Sequence, residues 1–482
     1  MATIITTAAG LAAINGSSGS FELGADILDW NLPPIETFYG DLDGKGYTIT
    51  GTIQTYTLGT YNKYAGLFYR CYGNVHDIVF EDCTLSYSGV PFSGGILAAG
   101  ISKDTDPAKA PEIYNITFIN CTITVNANSP NSQHFYWGNV GFLAGWVDNV
   151  GISGCFVDSD CSISLTATPN SVYSAAGMLV GSQYGTSNYM SNCGVEGSID
   201  CYGMSAIEAG GLCGESQNIT IQDCLSKVNI TTISTGAFSY LGGIYGSVSN
   251  NGTVTVNCYN SGTLSGTATQ KYGIGIGTTS TSCYWLDSCG GSGGGGESKT
   301  DTQLKQQATF ADWDFATIWG IDEGVDYPYL GNLTIVTLPA TEVWATGATI
   351  HGAMNNEGSV LTYAYMGFQW GPASDVSGET IHWLYSGTYG HGLHPIQATI
   401  SGLLPDRTYY YRACLHIGAP PMTPNTYGST LSFGGPTSIF GEGWEYVTAK
   451  KVEDDVSKLA VGRYYMDKSG NFVYESAKHR IA

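Results

Sequence analysis

Charge is what this chain has least of, and the little it has is one-sided. Only 12% of its 482 residues are charged, with 18 Lys and Arg against 40 Asp and Glu, giving a formal net charge of −22. Such a balance excludes a nucleic-acid binder, because phosphate contacts need clustered Lys and Arg. No run of 18 apolar residues occurs, so no membrane-spanning helix is expected. None of the 13 cysteines forms a Cys-x-x-Cys pair, which removes a zinc ribbon, and the odd count forbids complete intramolecular pairing. Helix should be scarce as well, since 66 glycines and long stretches of Thr, Ser and Asn leave little that could sustain one. The first residues, Met1-Ala2-Thr3-Ile4-Ile5-Thr6-Thr7, offer neither the basic region nor the apolar core of a secretory leader.

What is present is a repeat. A glycine followed by two mostly apolar residues recurs at Gly66, Gly95, Gly141, Gly177, Gly211, Gly243 and Gly273, with gaps of 29, 46, 36, 34, 32 and 30 residues. A period in this range signals stacked units, each burying its apolar face only against its neighbours. The long second gap implies an insertion near 101–136, and the last motif carries Gly275 in place of a large apolar residue. In phase with the glycines run short stretches alternating apolar with polar, many β-branched, ending in a cysteine: Cys83, Cys121, Cys155, Cys193, Cys224, Cys258 and Cys283. Residues 1–289 therefore read as a β-solenoid, with glycines that allow either a positive φ or a close approach of coils. The seven cysteines would form one internal ladder of small apolar side chains. Cys155 with Cys161, Cys193 with Cys201, and Cys283 with Cys289 are close enough in sequence to pair in an oxidising compartment.

These residues resemble the GLUG repeat family of bacterial and viral surface proteins. Gly10-Leu11-Ala12-Ala13-Ile14, Phe21 to Ile27 and Gly40 to Ile49 resemble its opening segment, and Ala311 to Phe315, Ile318 to Gly324 and Tyr327 to Leu330 its closing one, so the likeness spans about 8–332. The resemblance implies adhesion or surface structure and brings no catalytic residues with it.

Residues 290–335 read as a flexible glycine-rich loop, Gly290 to Gly296, followed by that closing segment, in which a helix over Thr302 to Ala311 would cover the open end. From 336 to 435 strand-like runs at short spacing argue for a β-sandwich. Leu403 to Ala413 resembles the fibronectin type III signature, with Tyr409 or Tyr411 at the corner position. Residues 436–482 form a tail; its 448–482 stretch carries seven Lys or Arg against five Asp or Glu. A short helix is expected over Lys450 to Leu459, and a hairpin around Asp467-Lys468-Ser469-Gly470 would present Arg463, Tyr464, Tyr465, Phe472 and Tyr474 for docking. Gly462 to Ser476 resembles short C-terminal segments of phage tail proteins.

Chemistry is thin. Asp26, Asp29, Asp41 and Asp43 could supply a glycosidase acid and base, but Asp and Gly at these spacings serve turns. Asp41-x-Asp43-Gly44-x-Gly46 hints at calcium yet lacks the later bidentate Glu, and Gly40 to Lys45 misses a phosphate loop by one residue of spacing and the missing Ser or Thr. His391 and His394, with His382 nearby, could hold a metal at a loop tip, although packing explains them more simply. Asn115, Asn120, Asn218, Asn229, Asn251 and Asn332 head glycosylation sequons, meaningful only in a secreted chain. The 33 tyrosines give flat contact area for sugars or proteins. The expectation is an all-β, non-enzymatic virion structural or adhesion protein without metal or cofactor. It would oligomerise, dock on itself or other virion proteins through its tail, and bind a host glycan or protein. The alternatives are a tail-spike polysaccharide depolymerase, or an exported adhesin or extracellular filament subunit.

Overall fold

The computed structural model describes residues 2–482 except 59–61, 89–91, 104–109, 128–135, 168–171, 187, 204–205, 234–237, 251, 277–278, 316–317, 322, 331–333, 345–346, 357–360, 390–391, 405–406, 418–425, 428, 435–444, 447–463, 467–471 and 475–482. The chain is all-β and divides into two compact units, the first built from Met1–Leu333 with the short segments Asn356–Leu361 and Thr388–Gly392, the second from Thr334–Asn355, Thr362–Gly387 and Leu393–Ala482.

In the first unit each repeat visits three sheets in turn. Strand Phe68–Cys71 lies in a seven-stranded sheet, Asn74–Ser88 in a 21-stranded sheet and Phe92–Gly94 in an eight-stranded sheet; Ala98–Ser102 then returns beside Phe68–Cys71. Neighbouring repeats pair in parallel and in register. One row runs Val75, Ile113, Ile152, Met190, Ile221, Thr255 and Ser280. Among the described residues of these sheets only Thr55–Leu58 and Asn62–Ala65 pair antiparallel. Parallel stacking puts like residues above one another, so apolar rows of consecutive repeats fuse into one interior, with Phe80 on Phe118 at 5.3 Å between ring centres. Glu112–Ile119 and Thr122–Ala127 hold this register, so the long second gap does not interrupt the ladder.

The chain turns from strand to strand at a row the sequence did not advertise. Asp77, Asn115, Gly154, Asn192, Asp223, Asn257 and Ser282 are equivalent in register and all sit at φ of 49 to 58°. Asn and Asp tolerate this left-handed conformation because their side chains hydrogen-bond locally. Here they also bond along the row: Asn115 Nδ2 donates to Asp77 Oδ1 at 2.9 Å, and Asn257 Nδ2 to Asp223 Oδ1 at 3.0 Å.

The glycine motifs are not those turns, since none of the seven has positive φ. They permit close approach: a Cβ on Gly95 would lie 2.4 Å from the Gly141 carbonyl oxygen, and one on Gly141 2.4 Å from that of Leu179. The row as expected also slips by one. Gly66, Gly95, Gly141 and Gly177 continue structurally into Gly210 and Gly242 and then Tyr272, so Gly211, Gly243 and Gly273 occupy the next position along the corner. Doubled glycines hid the shift.

The cysteine ladder is two ladders. Cys155, Cys193, Cys224, Cys258 and Cys283 stack just after the left-handed row, whereas Cys83 and Cys121 stack with Cys161 after a second corner. That second corner has its own left-handed residues at Asp82 and Asn120, so two places in the early repeats carry one local signature. All thirteen cysteines are buried free thiols, and none of the three suggested pairs is bonded.

Two further expectations change. The stretch Gly290 to Gly296 is not a free loop: Gly273 and Gly275 donate from their backbones to the carbonyls of Gly293 and Gly294, and Ser292 donates to that of Lys271. Without side chains, and with φ positive at Gly293 to Gly296, it can lie against the last corner. The closing segment does not cap an end. Its helix is only Asp301–Leu304, held by a capping box from Thr300 and Gln303. Beyond it, Leu304, Phe310, Trp313, Trp319 and Leu330 bury themselves along the flank formed by Phe156, Leu225, Tyr259 and Tyr284, four residues of one row. Trp313 Nε1 donates to the Ser282 carbonyl at 2.8 Å, and Tyr259 donates to that of Pro328 at 2.6 Å. At the other end a short helix, Ala8–Ala12, capped by Thr7, adds Leu11 to the core.

The second unit contains two antiparallel sheets. One orders Thr334–Trp344, Gly347–Asn356 and Gly392–Ser401; the other orders Ile381–Tyr389, Leu361–Gly371, Thr408–Ile417 and Thr426–Tyr427, with Leu431–Gly434 also on Thr408–Ile417. The Tyr409 hydroxyl accepts from the Leu404 amide at 2.8 Å, while Tyr411 donates to the Leu338 carbonyl at 2.6 Å. In the tail, Tyr464–Met466 and Phe472–Tyr474 pair antiparallel as expected, with Glu445–Tyr446 as a third strand. Arg463, Lys450 to Leu459 and the turn at 467–470 lie outside the described residues.

Candidate functional site

Two clusters of titratable groups stand out in the first unit. The first gathers Asp41 and Asp43 of strand Asp41–Asp43 with His76 and Asp77 one repeat later, because Asp43 and His76 are register partners. His76 is nearly buried and stacks on Tyr114 at 4.4 Å. Its Nδ1 lies 2.7 Å from Asp77 Oδ2, and its Nε2 3.6 Å from Asp41 Oδ1. Burial alone would lower its pKa; the hydrogen bond to Asp77 and the charges of Asp43, Asp77 and Asp41 outweigh that and raise it. Lys45 Nζ sits 2.6 Å from Asp43 Oδ2, and Asn115 occupies Asp77 Oδ1. His and three carboxylates have metal-ligand chemistry, but here each already has a partner, and the cluster is an internally paired charge network.

The second cluster joins the seven- and eight-stranded sheets. Glu208 stands on Ala206–Gly210 in the row Ser93, Asn139, Ala175, Glu208, Tyr240, and Glu215 on Cys213–Gln217 in the row Arg70, Gly100, Trp146, Ser182, Glu215, Ser247. Both glutamates are 7% exposed. Ser182 Oγ and Tyr184 OH each donate to Glu215 Oε2 at 3.3 Å. Tyr184 also bonds the Asn139 amide, and Glu208 bonds Tyr173 and Ser247, tying the two sheets together. Burial pushes the Glu208 carboxyl up to about 7; the bonds from Tyr173 and Ser247 oppose this, and the Glu215 charge adds to it. Glu208 Oε2 and Asn139 Oδ1 are buried without a hydrogen-bond partner.

Earlier in the Glu215 row the chemistry is aromatic. The Arg70 guanidinium lies 4.4 Å from the Trp146 ring centre and 5.1 Å from that of Tyr69. Gly100 makes room, since a Cβ there would meet the Trp146 ring at 2.4 Å.

The residues nominated from sequence divide between these places. Asp41 and Asp43 reach the His76 cluster, whereas Asp26 caps the Thr48 amide at 2.9 Å and Asp29 serves a left-handed turn, so the four do not form a catalytic pair. The near phosphate loop at Gly40 to Lys45 is a strand and turn with no helix following. His382 stacks on Trp370 at 5.9 Å and His394 lies in a strand; His391 is outside the described residues. Sequence reasoning missed Glu208 and Glu215 because only one repeat carries them. The available signal was a lone glutamate in an otherwise uncharged stretch on each side of Gly210-Gly211.

No family model matches the chain. A protein of Evansella cellulosilytica described as a "Putative Gly-rich membrane protein" is 33% identical over 124 residues, 23% of this chain and 14% of the relative, so the chain spans about one seventh of that relative's length. Among solved structures, one described as a "putative immunoglobulin A1 protease" from Bacteroides ovatus is 17% identical, covering 68% of this chain and 91% of the other at a TM-score of 0.44. The sensor domain of the anti-sigma factor RsgI4 in Pseudobacteroides cellulosolvens is 21% identical over 22% of this chain and 91% of the other, at a TM-score of 0.17.

Proposed function

We propose that the first unit is a β-solenoid, the second a fibronectin type III-like sandwich, and the whole a non-enzymatic adhesion or display protein acting at a virion or cell surface. The observation that carries this reading is the unbroken parallel register of successive repeats, which holds outward positions in straight rows on a rigid body. Rows of hydroxyls, amides and tyrosines with few charges suit shallow, repeated contacts with glycans or proteins. The bond from the Leu404 amide to Tyr409 supports the sandwich, being the corner such folds use. The tail, a small antiparallel sheet, would dock on a neighbouring copy or another assembly protein.

Mass spectrometry of purified particles and of cell-surface fractions, paired with binding of the purified chain to host cells and immobilised glycans, tests the reading. Recovery in either fraction with saturable binding supports it; absence from both, or no binding, sinks it. Sugar release from a polysaccharide would move the assignment to the depolymerase alternative, with Glu208 and Glu215 as the first residues to question.

A further inference from the structure

We infer that Asn139, Glu208 and Glu215 form a site for one hard divalent cation of the calcium type, between the seven- and eight-stranded sheets. Asn139, Ala175 and Glu208 are consecutive register neighbours on one face, and the methyl of Ala175 leaves space between the longer side chains. On either side of it, Asn139 Oδ1 and Glu208 Oε2 are both buried and both without a hydrogen-bond partner. Glu215 is linked to the same place through Tyr184, which bonds the Asn139 amide and donates to Glu215 Oε2. Every donor offered is oxygen: two carboxylates, an amide carbonyl and the hydroxyls of Ser182 and Tyr184. Oxygen-only sets of mixed charge suit Ca2+, while zinc favours nitrogen and sulfur. A buried carboxylate beside a second one is costly without a positive partner, and a cation between them would supply it along with the missing bonds. The His76 cluster lacks this feature, its donors being already matched to Lys45, Asn115 and one another.

The full chain, stripped with a chelator, is titrated with Ca2+ by calorimetry and with Tb3+ by tyrosine-sensitised luminescence, for which Tyr184 is the adjacent donor. The expected result is one site whose occupation raises the melting temperature, with affinity reduced at least about tenfold in Glu208→Gln and Glu215→Gln. Without cation, Glu208→Gln should melt no lower than the unaltered chain, because a buried charge is gone; with Ca2+ the order should reverse. If a Gln variant fails to fold, the titration of the unaltered chain still decides. No Ca2+ binding by that chain overturns the inference. So does binding unchanged in both Gln variants, or binding lost in Asp43→Asn instead.

Discussion

The early and late corners of the first unit fill the same space in opposite ways. At the second position of the corner stand Ile96, Phe142 and Met178 in the earlier repeats, but Gly211, Gly243 and Gly273 in the later ones. The facing row changes in step: Phe118, Val157 and Val195 give way to Ser226, Asn260 and Trp285. Phe142 packs on Phe118 at 5.5 Å, whereas a Cβ on Gly273 would fall 2.2 Å from the Trp285 ring. Asn260 turns its amide back on Gly262, accepting from its amide at 3.1 Å and donating to its carbonyl at 3.3 Å. Volume comes from Phe142 on one row in an early repeat and from Trp285 on the other row in the last. A repeat protein keeps its backbone period without keeping its side chains.

The largest effect expected is in the early half, where Phe142→Ala removes a fully buried ring and should cost about 3–5 kcal/mol by denaturant unfolding. In the late half the dangerous change is the reverse one. Gly273→Leu should cost about 1–3 kcal/mol, and adding Trp285→Val should return at least half of that; no recovery would show that the rows are not coupled. The late half also carries a titration. The Glu208 carboxyl is raised in the folded chain, which therefore holds a proton longer than the unfolded chain does. In cation-free buffer, stability should fall as pH rises from about 4.5 to about 7, by roughly 1 kcal/mol per pH unit, and level off above; Glu208→Gln should flatten the slope. The smallest effect concerns the row both halves share. Asn192→Ala places a methyl at a left-handed φ of 52° and should cost roughly 1 kcal/mol, while the same change at an extended surface position should cost almost nothing.

Much of this was legible in the sequence. Alternating runs such as Ile116 to Cys121 gave the strands, and the period gave the stacking. What escaped was phase. A doubled glycine such as Gly210-Gly211 satisfies the motif at either residue, and only register tells them apart. The two cysteine columns merged for a similar reason, since members of both, such as Cys83 and Cys224, follow an Asp at a turn. The glycine-rich stretch was misread because composition reports what a segment lacks, not which backbone it lies beside. Glu208 and Glu215 were invisible because periodicity averages away a feature found in a single repeat.

The aromatic flank has a consequence for time rather than for shape. Trp313 bonds a carbonyl beside Cys283, and Trp319 bonds Asp223 two repeats earlier, so the segment from Leu304 to Leu330 needs several finished repeats before its binding row exists. It is then a latch across finished repeats, and its two indoles would report its departure through fluorescence. Stacked repeats otherwise fray one at a time, and a latch packed on residues from four of them should tie their unfolding into a single event.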